Sequence, residues 1–423
     1  MMKTTNSKRT NILFRVLALC LCAALLCGAA CAEGIREICF GMDYMHYGCT
    51  LADGRMVLVG AKNLADGYDF EPVARVVCLN PDRTMSWEFA DTGENGYVSA
   101  VQAAALQDGT VAVVFEDRQL LDRENRLVVR FFTQEGKETG KELELSTKLV
   151  TFKATPSWLM LYGWKPEERM DETILIDWGG NELLRYDGLI LPDGYGFAVG
   201  NTDELVLYGQ DTMENSHAKI LKLDGLTDSV LWETTLDWQL SDTEGSTIDS
   251  CVRTDDGGYL AMVGEARPET DENGNRWTSF LVKLDKEGRV LWTSREIFEK
   301  YKILGSRMYF LNGKLLLSCA SETGGDPGSI APWVFLWLDG DGNELGMTEV
   351  ELKAEDLPHL SQYVGPAGDG TYWEPFADVL EIIPMADGLW ALGQGDVDLM
   401  DGEKFLQTLP EASETFLVKI PEP

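Results

Sequence analysis

The sequence predicts an all-β fold, and three observations predict it. Helical periodicity is scarce along the 423 residues. Short runs rich in Val, Ile, Leu and aromatics recur between clusters of Gly, Asp and Asn, which is how strands and tight turns read. One four-strand phrase also returns roughly every 50 residues, the period of a repeat architecture.

The clearest copy of the phrase spans residues 247–294. A run at 247–253 meets the turn Asp255-Asp256-Gly257-Gly258, and a second run follows at 259–264. After a polar insertion come a run at 279–285, the turn Lys286-Glu287-Gly288 and a run at 289–294. Gly after an acidic residue is a hairpin signal because it takes a positive φ without steric cost. The first turn recurs at Asp53-Gly54, Asp108-Gly109, Pro156-Ser157, Asp203, Asp256-Gly257, Asn312-Gly313 and Asp387-Gly388. Second strands are expected at 56–60, 111–115, 158–163, 204–209, 259–264, 315–319 and 389–393. Third strands are expected at 74–80, 127–133, 173–177, 218–224, 279–285, 333–339 and 415–420. Asp193-Gly194 offers another register for the fourth unit, but the match of Leu161-Tyr162-Gly163 to Leu207-Tyr208-Gly209 favours this one.

Four strands in each of seven units predict a single seven-bladed β-propeller of four-stranded antiparallel blades, since a twisted sheet buries both faces only by stacking on its neighbours. The last unit stops at residue 420 without a fourth strand, while an orphan strand at 34–40 precedes the first. The N-terminal strand is therefore expected to close the last blade, which removes a free sheet edge.

Residues 1–32 hold Lys3, Lys8, Arg9 and Arg15, no acid, an apolar run over 16–26 and the small stretch Gly28-Ala29-Ala30-Cys31-Ala32. This is the pattern of a secretory signal peptide, with 33–423 as the propeller. Two alternatives stay open: an uncleaved N-terminal anchor, and a lipid anchor at Cys31. No N-x-[ST] sequon occurs, so a bacterial exported protein that is secreted or held at the cell surface is the simplest reading. Beyond the signal lie Cys39, Cys49, Cys78, Cys251 and Cys319, an odd and widely spaced set that reads as buried thiols in apolar strands such as Val76-Val77-Cys78-Leu79.

With 36 Lys+Arg against 70 Asp+Glu, the net charge of −34 opposes phosphate backbones and anionic lipid surfaces, so nucleic acid is excluded as a partner. The three histidines are scattered, with no H-E-x-x-H and no G-x-S-x-G elbow, which argues against a zinc hydrolase and a serine hydrolase. Asp339-Gly340-Asp341-Gly342-Asn343-Glu344 has the alternating oxygens of a calcium loop, but it aligns with the hairpin turn at 285–288 and reads better as a turn. Asp271-Glu272-Asn273-Gly274-Asn275 reads likewise as a polar hairpin tip.

The phrase Asp-Gly-Gly-Tyr-Leu-Ala-Met-Val-Gly over 256–264, followed by Phe-Leu-Val-Lys-Leu-Asp-Lys-Glu-Gly-Arg-Val-Leu-Trp over 280–292, resembles exported bacterial β-propellers of the WD40-like and quinoprotein-like repeat type. In quinoprotein dehydrogenases the related motif A-x-D-x-x-T-G-x-x-x-W docks each Trp between blades. Here the interval from Asp285 to Gly288 is one residue short, and the equivalent Trp stands only at Trp87, Trp232 and Trp292. The resemblance therefore implies the fold and not quinone chemistry.

Function is expected from the loops. Those at 63–72, 265–276, 321–332 and 394–414 share one face, and the segment 347–374 beside them carries Tyr363, Tyr372 and Trp373 with Gly365, Gly368 and Gly370. These three aromatics suit a sugar or peptide contact, although aromatics in such a loop also serve simply to pack it onto the blades. The expectation is a non-catalytic binding or scaffold protein, monomeric, with a protein or glycan partner, no cofactor, no metal and no membrane span once the signal is removed. The alternative is a carbohydrate-active enzyme, a glycosidase or lyase, using inner-strand carboxylates at the channel: Asp43, Asp249, Asp378 and Glu381.

Overall fold

The computed structural model describes residues 36–39, 44–63, 72–91, 97–117, 126–146, 149–165, 170–187, 205–210, 217–227, 229–236, 245–266, 277–301, 303–321, 330–353, 357, 360–363, 366–368, 370–401, 404–408 and 413–422. The signal-peptide segment 1–32, the polar tip at 271–275 and the rival turn at 193–194 lie outside them.

The described strands form seven antiparallel sheets. Sheet 1 is Tyr44–Thr50, Met56–Asn63, Pro72–Leu79 and Met85–Ala90, and sheet 2 is Tyr97–Ala105, Val111–Asp117, Arg126–Phe132 and Glu138–Ser146. Sheet 3 is Leu149–Ala154, Trp158–Lys165, Met170–Asp177 and Glu182–Asp187. Leu205–Gln210, Ala218–Leu223 and Val230–Leu236 make sheet 4. Sheet 5 is Gly245–Arg253, Tyr259–Ala266, Trp277–Leu284 and Val290–Ser294, and sheet 6 is Ile303–Leu311, Lys314–Ser321, Trp333–Asp339 and Glu344–Val350. In sheet 7, Thr371–Met385 pairs with Gly388–Asp401 and the latter with Glu414–Lys419. The outer partner of Glu414–Lys419 comes from the other end of the chain: Arg36 faces Val418 and Cys39 faces Phe416. Two short strands, Pro366–Gly368 and Lys404–Thr408, flank the extended hairpin of this sheet.

Burial follows strand position. In Pro72–Leu79 seven consecutive residues are buried, and in Tyr259–Ala266 likewise seven, because middle strands are covered on both faces. Outer strands such as Met85–Ala90 and Val230–Leu236 alternate toward solvent. The core is divided into apolar clusters, each shared by two consecutive sheets. Val59, Phe115 and Phe132 join sheets 1 and 2; Trp158, Leu175 and Leu207 join 3 and 4; Tyr208, Tyr259 and Phe280 join 4 and 5. Another cluster joins sheets 6 and 7 through Trp333, Phe335 and Phe416, and Met45, Leu58, Ile383 and Trp390 join sheet 7 back to sheet 1. Sheets stacked side by side through both faces are the propeller arrangement.

The rim repeats a second contact. Trp87, on the outer strand of sheet 1, lies over Gly136 in the last hairpin turn of sheet 2 and donates its Nε1 hydrogen to the Gln134 carbonyl at 2.9 Å. Trp232 does the same over Gly288 of sheet 5, donating to the Lys286 carbonyl at 3.0 Å, and Trp292 lies over Gly342 of sheet 6. Gly288 is required twice: its φ is +78°, and a Cβ there would come within 2.4 Å of the Trp232 ring. In sheet 2 the place is taken by Leu143, which lies over Gly180 of sheet 3.

The acidic turn at 339–343 is a hairpin. Asp339 Oδ1 accepts from the backbone of Asp341 at 2.9 Å and of Asn343 at 2.8 Å, while Asn343 Nδ2 donates to Oδ2 at 2.9 Å. The carboxylate is thus occupied by its own turn, as Asp285 is by Glu287 and Arg289. Cys49, Cys78, Cys251 and Cys319 are free thiols, and burial pushes the Cys49 thiol up to about 12. Between sheets 5 and 6 the short helix Glu296–Tyr301 buries Ile297 and Phe298. Among the described residues no helix is long and apolar enough to cross a membrane.

Candidate functional site at the channel mouth

Outside sheet 4, the first long strand of each sheet lies innermost, and such strands contact one another between sheets 1 and 2, 2 and 3, 5 and 6, 6 and 7, and 7 and 1. Six of them break register four or five residues before their end: between Met45 and Tyr47, Ala100 and Gln102, Leu149 and Thr151, Ile248 and Ser250, Gly305 and Arg307, and Val379 and Glu381; the strand of sheet 2 breaks a second time, between Tyr97 and Ser99. A bulge adds one residue, bends the strand and re-aims the side chains beside it. The residues that follow the six bulges are Tyr47, Gln102, Thr151, Ser250, Arg307 and Glu381, none of them aliphatic. The extra residue in sheet 5 is itself acidic, Asp249. Two of these positions tie neighbouring sheets: Gln102 Oε1 accepts from the Ala154 amide at 3.5 Å, and Ser250 Oγ accepts from the Met308 amide at 3.3 Å.

The others share one electrostatic environment. Burial raises the Asp249 carboxyl to about 7, with the Arg307 charge opposing that rise. Glu381 is likewise raised by burial, against the opposing charges of Lys153 and Arg307. Lys153 stands on sheet 3, separated by other sheets from both 6 and 7; burial lowers its pKa, Glu381 acts to raise it, and Arg307 acts to lower it further. Three charges on three separate sheets thus bear on one another's titration. The phenols of Tyr47 and Tyr309 are raised by burial first and by Glu381 second, so both remain neutral donors beside it.

These groups are enclosed by protein yet not sealed from water: Tyr47, Lys153, Asp249, Arg307, Tyr309 and Glu381 are each only partly buried. Glu381 accepts a hydrogen bond from the Ile382 amide at 3.1 Å. Among the described residues, no protein group hydrogen-bonds the Asp249 carboxyl or the hydroxyls of Tyr47 and Tyr309. Asp249 has room because its neighbour is Gly264; a Cβ at that position would come within 2.7 Å of Oδ2.

Of the carboxylates expected at the channel, the structure brings Asp249 and Glu381 around Arg307. Asp378 sits on the same strand as Glu381 but before the bulge, exposed; its pKa is raised by surrounding protein and by Asp396. Asp396 accepts from Gln394 Nε2 at 2.9 Å and from Ser413 Oγ, so this pair belongs to the extended hairpin. Asp43 lies outside the described residues. Tyr363, Tyr372 and Trp373 come together at that hairpin rather than at the axis. Tyr363 and Trp373 meet edge to face, with ring centroids 5.5 Å apart, and both pack on the cluster between sheets 6 and 7; Tyr372 is half-buried. Lys153, Arg307, Tyr47 and Tyr309 were not singled out by sequence; the signal that finds them is a polar or aromatic residue in the second half of each inner run, a few places before the first turn. Among the described residues no group of His, Cys, Asp and Glu could hold a metal ion.

No family model matches the sequence, and no curated protein does. Solved structures do resemble the chain in shape. The β-propeller domain of the Trilobed protease from Pyrococcus furiosus is 12% identical over 88% of this chain and 96% of its own, with a TM-score of 0.49. Acylaminoacyl peptidase from Pyrococcus horikoshii is 13% identical over 86% of this chain, with a TM-score of 0.48, and this chain spans about half of its length (52%). A europium-containing methanol dehydrogenase is similar over 91% of this chain and 93% of its own, at 8% identity and a TM-score of 0.39.

Proposed function

We propose that the protein is an exported, seven-bladed β-propeller, closed by its N-terminal strand, that acts at the bacterial cell surface as a non-catalytic binding or scaffold protein. Residues 1–32 are its secretory signal and 33–423 the propeller. One observation carries the binding reading: polar groups on separate inner strands influence one another electrostatically, and among the described residues Asp249 and the hydroxyls of Tyr47 and Tyr309 receive no hydrogen bond from protein. Groups left this way in a partly enclosed space are costly unless water or a ligand satisfies them, which is how binding sites are built. The guanidinium of Arg307 between Asp249 and Glu381 favours holding a ligand over turning it over, because it supplies a counter-charge to both carboxylates.

The second reading, a carbohydrate-active enzyme, is favoured by Asp249 itself. A carboxyl that titrates near 7 can stay protonated at neutral pH and serve as a general acid. One experiment separates the two. Purified secreted protein is incubated with plant and bacterial cell-surface polysaccharides; retention is measured by co-sedimentation and release of reducing ends by chromatography. The binding reading expects retention without product. Product that disappears in Asp249→Asn would establish the enzyme instead, and neither retention nor product would sink the enzyme and leave the binding reading to protein partners alone.

A further inference from the structure

We infer that the channel mouth formed by Tyr47, Lys153, Asp249, Arg307, Tyr309 and Glu381 is a saccharide site that takes a neutral, hydroxyl-rich ligand. The inference rests on the binding reading above and adds to it the place and the ligand class.

The chemistry of the wall selects the ligand. An ionised carboxylate only accepts hydrogen bonds and a protonated one also donates, so Asp249, which titrates near 7, and Glu381 are both served by hydroxyls, which donate and accept. Phenol hydroxyls both donate and accept, and each ring also offers an apolar face. Tyr47 packs beside the cluster of sheets 1 and 2 and Tyr309 beside that of sheets 6 and 7, so both rings are fixed at their base while their hydroxyls have no protein partner among the described residues. A ligand complementary to this wall carries many hydroxyls next to C–H faces, which describes a sugar ring.

Charge narrows the class further. An anionic ligand meets Asp249 and Glu381 inside a protein of net charge −34. A cationic one meets Lys153 and Arg307. A neutral ligand avoids both penalties. The bulges supply the positioning. Each lies four or five residues before the end of its inner strand, set back from the first hairpin turn, so the site opens toward the face that carries the connections between sheets. The extended hairpin of sheet 7, with Tyr363 and Trp373 at its base, stands on that same face.

The test is titration calorimetry on the full secreted protein with neutral hexasaccharides of gluco, manno, galacto and xylo configuration, and with hexagalacturonate as the anionic counterpart. Wild type is expected to bind at least one neutral hexasaccharide. Glu381→Gln, Asp249→Asn and Tyr309→Phe are each expected to weaken that binding at least tenfold with thermal unfolding retained; Tyr309→Phe removes one oxygen and keeps the packing. Trp373→Ala is expected to leave it within threefold. If a neutral hexasaccharide binds and the three channel variants bind it as well as wild type, the site is elsewhere and the channel inference falls while the binding reading stands. If only hexagalacturonate binds, and Lys153→Met abolishes it, the neutral class is wrong. If none binds at millimolar concentration, the inference is overturned and the binding reading is left to protein partners, which a cell-surface crosslinking experiment then addresses.

Discussion

The rim and the axis of this molecule are built from the same repeat and obey opposite rules. At the rim, Trp87, Trp232 and Trp292 each meet a turn glycine of the next sheet, and even the departure at Leu143 preserves the contact. Along the axis, the six described bulges sit in equivalent places and the residues that follow them share no chemistry: Tyr47, Gln102, Thr151, Ser250, Arg307, Glu381. The backbone repeats in both regions, while the side chains repeat only where they hold sheets together. Sameness marks the frame and divergence marks the surface free to acquire a ligand.

Substitutions at the frame should therefore cost stability, and substitutions at the axis should cost binding or even add stability. The largest effect is expected at Trp333, which is buried, stacks on Phe416 of the next sheet at 5.4 Å and donates to the Ala377 carbonyl at 2.8 Å. Trp333→Ala should lose about 3–5 kcal/mol in denaturant unfolding, since it deletes a large buried ring and leaves a cavity. A loss under ~1 kcal/mol would mean that sheets 6 and 7 are not joined as described.

Next comes Gly288→Val, which forces a β-branched residue into positive φ and into the Trp232 ring. It should cost about 2–4 kcal/mol, combining backbone strain with overpacking. Gly225→Val provides the control, because its φ is also positive, at +60°, but nothing lies within 4 Å of its Cβ position. The difference between the two isolates the docking contact.

The axis should respond with the reverse sign. Asp249 has a folded-state pKa of about 7, above the ordinary carboxyl value, so the folded protein holds a proton that the unfolded chain releases between about pH 4 and 7. Stability then falls as pH rises through that window, and the penalty is complete above pH 7. Asp249→Asn should gain roughly 1–2 kcal/mol at pH 8, the shift being discounted for channel water, and nothing at pH 4. A loss at pH 8 would show that Asp249 makes a stabilising ion pair.

The smallest effect belongs to the ion pair under the first turn of sheet 5. Asp256 is lowered to about 2, chiefly by the Thr254 hydroxyl and also by Lys283, whose Nζ lies 2.9 Å away. A depressed acid stabilises the fold above about pH 4, and the contribution is lost as pH falls toward 2. Asp256→Asn should flatten that part of the acid-unfolding curve, at well under ~1 kcal/mol, because the carboxylate is 60% exposed.

The frame was legible because its determinants are local. Turn acids and glycines such as Asp256-Gly257, and apolar runs such as 259–264, announce hairpins within a few residues of themselves. The orphan run at 34–40 could be matched to a missing partner by counting alone, and a strand there does pair with Glu414–Lys419. Asp249 and Glu381 were legible as acids in inner runs. Their company was not, because Lys153, Arg307 and Tyr47 come from sheets far apart in sequence, and a one-residue bulge decides which way each side chain faces. The aromatic density of Tyr363, Tyr372 and Trp373 was visible too, but composition does not say whether an aromatic faces solvent or a neighbouring core.

The pairing of Arg36–Cys39 with Glu414–Lys419 gives the chain a clock. A sheet that takes strands from both ends cannot assemble until the final residues have been synthesised, however early the other sheets form. Until then the first strand is an unpaired edge waiting for a partner nearly the whole length of the polypeptide away. Completion of this sheet is thereby tied to synthesis of residues 414–419, and a chain cut short before them would lack the strand that pairs with Arg36–Cys39. Proteolytic resistance should appear only once residues 414–419 are present, a threshold that truncated chains of increasing length can reveal.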